Sequence, residues 1–376
     1  MIVAYNALSV RPGIADGAAT FSVNVVAHLP AALPDDEVVV LAREGETRFP
    51  PAPNLRLVEI RLRANAPSRL TYEWLGLARE LRRQRSDVLV SPNESLPLRS
   101  PCPVVVVAQN LVYHCARSEF RGATARDRLV SRLQAAYYRR VMPVAYARAA
   151  AVAAVSETVV QVLAERARLS REKAHVIYEG SDSVLMPEMP QVDRADRLLV
   201  VSALAPYKGL ERTIELFARL RAERPELTLA LVGSDWRGFR ARLEALVDRH
   251  GLERAVEFAG SVGVERLVEL YASSLALLHL SECESFGLPL VEAMRYGLPV
   301  VSSGESALGE VAAGAALALS REPEAAARAV LELLADEATY AELRARGYRR
   351  AAELTWRSAT QRLAAVVRDA VSRGGG

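Results

Sequence analysis

The sequence predicts an α/β protein made of two doubly wound parallel sheets, and three observations carry that expectation. Short aliphatic, β-branched runs alternate with amphipathic helical stretches along the whole chain, the order that parallel strands and crossover helices require. The 376 residues are long for one domain and suit two of ordinary size. A stretch rich in Pro, Asp and Glu without periodicity, residues 181–196, divides the alternating pattern and reads as a linker.

Before the linker, strands are expected at residues 2–7, 38–41, 58–60, 88–91, 104–108, 151–155 and 175–178. After it they are expected at 198–202, 228–232, 256–259, 276–280, 299–302 and 315–319. A helix should begin near Gly17, with Phe21, Val25 and Leu29 on one face, and another after residue 209, with Ile214 and Phe217 inward. Helices fill the chain from Glu322 onward. The expected division is a first domain at 1–180, the linker at 181–196, a second domain at 197–354 and a terminal helix at 355–376. Ligands of such sheets bind beyond the carboxyl ends of the strands, so two facing domains are expected to leave a cleft.

Composition narrows the classes. With 51% hydrophobic and 25% charged residues the chain is a folded protein, and a net charge of +3 is too small to argue for nucleic acid as a partner. Cys102, Cys115 and Cys283 are too few and too scattered for a disulfide framework or a zinc site, so a reducing cytoplasm is the expected home. The N-terminus lacks the basic segment and apolar core of a signal peptide, and no apolar stretch reaches the ~18 residues of a spanning helix. Residues 117–148 hold eight arginines, with Leu129, Leu133, Tyr137 and Val141 on one helical stripe. Such a segment fits peripheral contact with anionic membrane, at its inner face, or a solvated basic face on a core helix; both readings stay open.

The most informative segment is ESFGLPLVEAMRYGLPVVSS, residues 284–303. Leu290, Val291 and Met294 fall at helical spacing and Pro289 suits a first turn, so a helix is expected over 288–296. Gly287 removes a side chain where the backbone must turn, and the N–H groups of Phe286, Gly287 and Leu288 then form an anion site at the positive end of the helix dipole, suited to a diphosphate. Glu284 precedes the turn and Glu292 lies inside the helix, about 10 Å further on. Carboxylates accept from adjacent hydroxyls, so a ligand with phosphates in the middle and polyols at both ends fits: a nucleotide-diphosphate sugar.

Glu284-Ser285-Phe286-Gly287-Leu288-Pro289, then Glu292-Ala293-Met294, then Gly297-Leu298-Pro299-Val300-Val301, closely resembles the donor-binding Glu-(x)7-Glu motif of the retaining glycosyltransferases of family 4. That resemblance implies the GT-B fold, two Rossmann-like domains, with a nucleotide-sugar donor on the second and a hydroxyl acceptor on the first. By the same resemblance, Glu284 meets the donor sugar, Glu292 the ribose, and Lys208 with the amides of residues 286–288 the diphosphate, with Ser285 also in the donor site. Lys208, one of very few lysines, lies in the segment 201–209, similar to the family's phosphate-binding loop, to which Ser202 also belongs. The family often has arginine where this chain has Ala203. Gly17 matches the glycine of an N-terminal loop that approaches donor or acceptor, and Gly233 and Val262 end strands that line the nucleotide pocket. Many relatives carry histidine where this chain has Gln109, so Gln109 and Asn110 are candidates for a sugar-hydroxyl contact or for capping a loop.

The implied activity is a metal-independent, retaining transfer of a sugar to a glycan, glycolipid or small metabolite, with no bound cofactor beyond the donor as co-substrate. There is no Asp-x-Asp pair, Gly-x-x-x-x-Gly-Lys loop or Gly-x-Gly-x-x-Gly turn. Two alternatives remain. A nucleotide-sugar epimerase would isomerise the donor alone, and a non-catalytic binding subunit would bind it without transfer.

Overall fold

The computed structural model describes residues 1–13, 16–63, 66–92, 94, 96–112, 114–115 and 125–374. The chain divides into two compact units, one comprising Met1–Asn110, Tyr137–Leu185 and Thr355–Gly376, the other Leu111–Ala136 and Met186–Leu354. The described residues among 111–136, read from sequence as part of the first domain, therefore group with the second.

The first unit is built on a parallel sheet of β1 (Ile2–Asn6), β2 (Glu37–Arg43), β3 (Leu55–Ile60), β4 (Val88–Ser91), β5 (Val104–Ala108), β6 (Ala151–Ala154) and β7 (Ala174–Val176). Its strand order is β3-β2-β1-β4-β5-β6-β7. The register pairs Val3 with both Val38 and Val88, and Val105 with Ala151. Every residue of β4, β5 and β6 is buried, because helices cover both faces, and this is why those strands read as unbroken aliphatic runs.

The second unit repeats the plan with β8 (Arg197–Val201), β9 (Thr228–Val232), β10 (Val256–Gly260), β11 (Ala276–His279), β12 (Val300–Ser302) and β13 (Leu317–Ala318), in the order β10-β9-β8-β11-β12-β13. Both sheets are doubly wound, as the sequence predicts. In each, the order reverses between the first and fourth strands, β1/β4 and β8/β11, and ligands of open parallel sheets bind outside the carboxyl ends at such a reversal.

The helix Trp356–Gly374 belongs to the first unit and packs along the helix Gly17–Ala32. Its anchor is Trp356, fully buried, whose ring meets Phe21 edge-on at 5.6 Å and whose backbone N–H donates to Asp182 at 2.7 Å. Trp356→Ala should therefore lower stability by about 3–5 kcal/mol. Urea unfolding checks this, and a loss below about 1 kcal/mol would show that the ring is not what fastens the terminal helix.

Candidate functional site

In the second unit the carboxyl ends of β8 and β11 lie side by side. Gly209 makes the approach possible: it has φ +66, and a Cβ there would sit 2.0 Å from the carbonyl oxygen of Leu280. Two further bonds fasten the loops, from Glu282 N–H to Tyr207 O at 2.9 Å and from Ser281 Oγ to Tyr207 O at 3.1 Å.

This contact brings Lys208 to Glu284. Lys208 Nζ lies 2.7 Å from Glu284 Oε1, and His279 Nε2 lies 3.0 Å from the same oxygen. Burial alone would raise the Glu284 carboxyl, but the Lys208 charge and the His279 bond outweigh it and hold the group far below the usual carboxylate range. Burial would likewise lower Lys208, and Glu284 and Tyr207 reverse that, so both partners stay charged. The main chain of Glu284 is clamped by Ser306, whose hydroxyl donates to Glu284 O at 2.7 Å and accepts from Glu284 N–H at 3.2 Å.

The turn and helix follow. Gly287 has φ +100, so the position favours glycine for conformation, while a Cβ there would meet only the movable end of the Leu308 side chain, at 2.7 Å. The helix runs Leu288–Arg295 with Gly287 as its N-cap. Phe286 is buried beneath the turn, and the Ser285 hydroxyl accepts the Leu111 N–H at 3.0 Å. Glu292, only 8% exposed, points into the unit, where its Oε2 accepts the Tyr271 hydroxyl at 3.0 Å. Burial raises this carboxyl, opposed by the Tyr271 bond, so the two motif glutamates sit in opposite electrostatic settings.

Other predicted residues occupy strand ends. Ser202 follows β8, and its carbonyl oxygen would be 1.9 Å from a Cβ on Gly233, so the β8 and β9 tips converge only because of that glycine. Val262 follows β10 and is half-buried. Three residues lie in the first unit instead. Gly17 opens its helix behind the Asp16 cap, and a Cβ there would meet nothing within 4 Å, so that helix tip is uncrowded. Gln109 and Asn110 follow β5, and Gln109 Nε2 donates to Pro92 O at 3.1 Å, a loop brace. Among the described residues no group of three or more His, Cys, Asp or Glu is placed to hold a metal ion.

Two features were not legible. His279, Tyr271 and Ser306, which hold the glutamates, carry no motif; only the position of His279 at a strand end, five residues before Glu284, could have drawn notice. The cysteines, expected to be too few and too scattered for a disulfide framework, nevertheless include one bonded pair: Cys115 and Cys283 form a disulfide, 168 residues apart in sequence. Sequence separation says nothing about space, and the chain after β5 runs past the motif, as the Leu111 bond to Ser285 shows. The cysteine count thus gives no argument for a reducing compartment.

Two family models match, "Glycosyltransferase Family 4" over residues 15–184 and "Glycosyl transferases group 1" over residues 186–350. The chain belongs to glycosyltransferase family 4. This family 4 chain is 30% identical over 210 residues to an MMP alpha-(1->4)-mannosyltransferase of Mycolicibacterium hassiacum, covering 54% of the chain and 50% of the relative. It is 30% identical over 164 residues to O-antigen chain mannosyltransferase B of Escherichia coli, covering 43% of each. It is 34% identical over 99 residues to the serotype-specific mannosyltransferase WbdA of Escherichia coli, covering 26% of the chain and 12% of WbdA. The matches thus span half or less of these relatives' lengths. Among solved structures, sucrose-phosphate synthase of Thermosynechococcus elongatus superposes with a TM-score of 0.75 at 20% identity over 99% of both chains. HepE of Anabaena, solved with UDP-glucose, gives 0.69 at 18% identity over 97% of this chain and 98% of its own. These likenesses show the GT-B fold, with its two Rossmann-like domains.

The Lys208–Glu284 pair gives a signed prediction. Glu284 is depressed in the fold, so its contribution is present above the ordinary carboxylate value of 4.5 and is lost as pH falls below it. Lys208→Met leaves a buried carboxylate without its cation and should cost about 3–5 kcal/mol at pH 7. Without Lys208, burial raises the stranded acid above its ordinary 4.5, so it is protonated at pH 4 and the gap narrows as pH falls from 7. Urea unfolding at pH 7 and pH 4 tests this, and an equal gap at both would contradict the pairing.

Proposed function

We propose that this family 4 protein transfers a sugar, with retention, from a nucleotide-diphosphate sugar to a hydroxyl acceptor, without a metal. The observation that carries the reading is the Lys208–Glu284–His279 cluster at the carboxyl ends of β8 and β11. A diphosphate arriving at the tip of the helix Leu288–Arg295 competes for Lys208, and Glu284, released from the lysine but still held by His279, turns to the sugar hydroxyls. The bond from the anomeric carbon to the diphosphate oxygen breaks as the bond to the acceptor oxygen forms. The acceptor proton passes to the leaving phosphate, on the same face. Lys208 and the backbone amides stabilise the charge growing there, so no protein nucleophile is needed. Glu292, sheltered by Tyr271, is assigned to the ribose. Mannose is the first sugar to test, because the curated relatives are mannosyltransferases, two of them in O-antigen chain or serotype-specific synthesis.

A panel of nucleotide sugars in a thermal-shift screen tests the donor, since a ligand at 100 times its Kd adds about 2.7 kcal/mol of stability. With the best donor, Glu284→Gln should lower turnover roughly 10²-fold, about 2.7 kcal/mol of barrier, with the product's anomeric configuration retained and the rate unchanged by chelator. Wild-type turnover in Glu284→Gln would remove Glu284 from the site.

The basic segment enters the same proposal. The helix Ala125–Arg148 leaves Leu129 58% and Leu133 62% exposed beside exposed Arg132, Arg139 and Arg140, so the stripe read from sequence is in part an outward face. Residues 117–124 and the Tyr137 side chain lie outside the described residues. No helix of the described residues is long and apolar enough to cross a membrane. An apolar stripe flanked by arginines suits peripheral contact with anionic lipid, which would bring a lipid-linked acceptor close. Sedimentation with vesicles containing anionic phospholipid, weakened by salt and absent with zwitterionic vesicles, is the expected result; equal behaviour with both lipids would count against it.

A further inference from the structure

Glu94 stands three residues past the end of β4, at the point where the first sheet reverses its strand order. It is 4% exposed and holds φ 56, a left-handed conformation that residues with a side chain rarely adopt. Its Oε1 accepts the Tyr146 hydroxyl at 3.0 Å, and the carboxylate also accepts the backbone N–H groups of Gln109 and Asn110. Among the described residues, the groups acting on it are therefore one phenol from the helix Ala125–Arg148 and two amides from the segment after β5, none of them charged. Arg148, on the same helix, is directed to the carbonyls of Pro97 and Leu98 at 3.1 and 2.7 Å, and Tyr138 bears on Tyr146.

This arrangement costs stability. Burial pushes the carboxyl up to about 7, although all three hydrogen bonds favour the ionised form. Since the group is raised above its ordinary 4.5, the fold is most favoured when it is protonated, and stability is lost as pH rises from 4.5 through about 7. A glutamine would escape the desolvation, and a glycine the left-handed backbone. Strain and a desolvated acid kept together at a strand reversal point to function more than to folding.

What the carboxylate holds is the segment carrying Gln109, whose amide nitrogen is committed to Pro92 O. We propose that Glu94 is a positioning residue which, through the backbone of Gln109 and Asn110, sets the side-chain oxygen of Gln109 to accept a hydrogen bond from a sugar-like acceptor at the carboxyl end of β5. This rests on the transfer reading above, with the acceptor on the first unit. The ionised carboxylate accepts from all three donors, whereas protonation turns one oxygen into a donor and loosens the grip, so acceptor binding tightens as pH rises through neutrality.

The test compares wild type with Glu94→Gln, measuring acceptor KM, donor KM and kcat from pH 6 to 8, with hydrogen exchange at the amides of residues 109 and 110. In wild type, acceptor KM should fall as pH rises. In Glu94→Gln it should be raised about tenfold at pH 8 and flat with pH, with donor KM and kcat little changed and the two amides exchanging faster, about the loss of one hydrogen bond. Wild-type acceptor KM with the same pH slope, or unchanged exchange at both amides, overturns the inference. Should Glu94→Gln not fold, Tyr146→Phe removes a single donor and is expected to raise acceptor KM in the same direction by less; no change there overturns it as well. If wild type binds no nucleotide sugar and transfers nothing, the transfer reading fails by itself, while the exchange measurement still decides whether Glu94 holds the segment.

Discussion

The second unit turns on one ion pair. Lys208 and Glu284 lie 76 residues apart in sequence and 2.7 Å apart in space, and most of the local structure exists to keep them so. The β8 loop can press against the end of β11 only because Gly209 has no side chain, and the Ser306 hydroxyl holds the Glu284 backbone from the other side. An exposed pair of this kind would be worth little. This one is largely withdrawn from solvent, so removing either partner strands a charge, and the cost of stranding it is what ties the two strand ends together.

The same pair is neutral as a unit, and each partner keeps the other charged. A lone buried lysine would tend to lose its proton; Glu284 keeps Lys208 charged. Glu292 contrasts with it, having no cation and a tyrosine for a partner. A carboxyl in that setting is suited to accepting from neutral hydroxyls rather than to balancing charge. Two glutamates eight positions apart on one turn-and-helix segment thus have different electrostatic characters, set entirely by what β11, the helix Val264–Ser273 and the β8 loop place against them.

Much of this was legible in the sequence, for identifiable reasons. All thirteen strands of the described residues overlap the expected runs; β4, β5 and β6 stand out because strands covered on both faces cannot hide polar residues, whereas the partly exposed β3 begins three residues before its expected start. Gly287 and Pro289 mark the motif turn because turn geometry restricts residue choice at those positions. Partners were not legible. His279 reads as one more residue of a buried strand, Tyr271 as one face of an amphipathic helix, and Glu94 as a loop acid, because each acquires its role only when a distant element is laid against it. The Cys115–Cys283 bond failed for the same reason: spacing along a chain is a poor guide once two loops at different strand ends meet.

That bond changes how the motif loop must be regarded. Cys283 directly precedes Glu284, and Cys115 follows by four residues the Leu111 whose N–H is accepted by Ser285. One segment is therefore fastened on both sides of Glu284, covalently before it and by a hydrogen bond after it. A hydrogen bond of this type is worth about 0.5–1.5 kcal/mol and opens readily, whereas a cross-link restricts the unfolded chain as well as the folded one. Together they narrow the positions open to Glu284, so the pairing with Lys208 does not have to supply all of the order itself. Placing a charged group accurately before a ligand arrives is what electrostatic stabilisation of a developing charge requires, because little then has to reorganise when that charge appears.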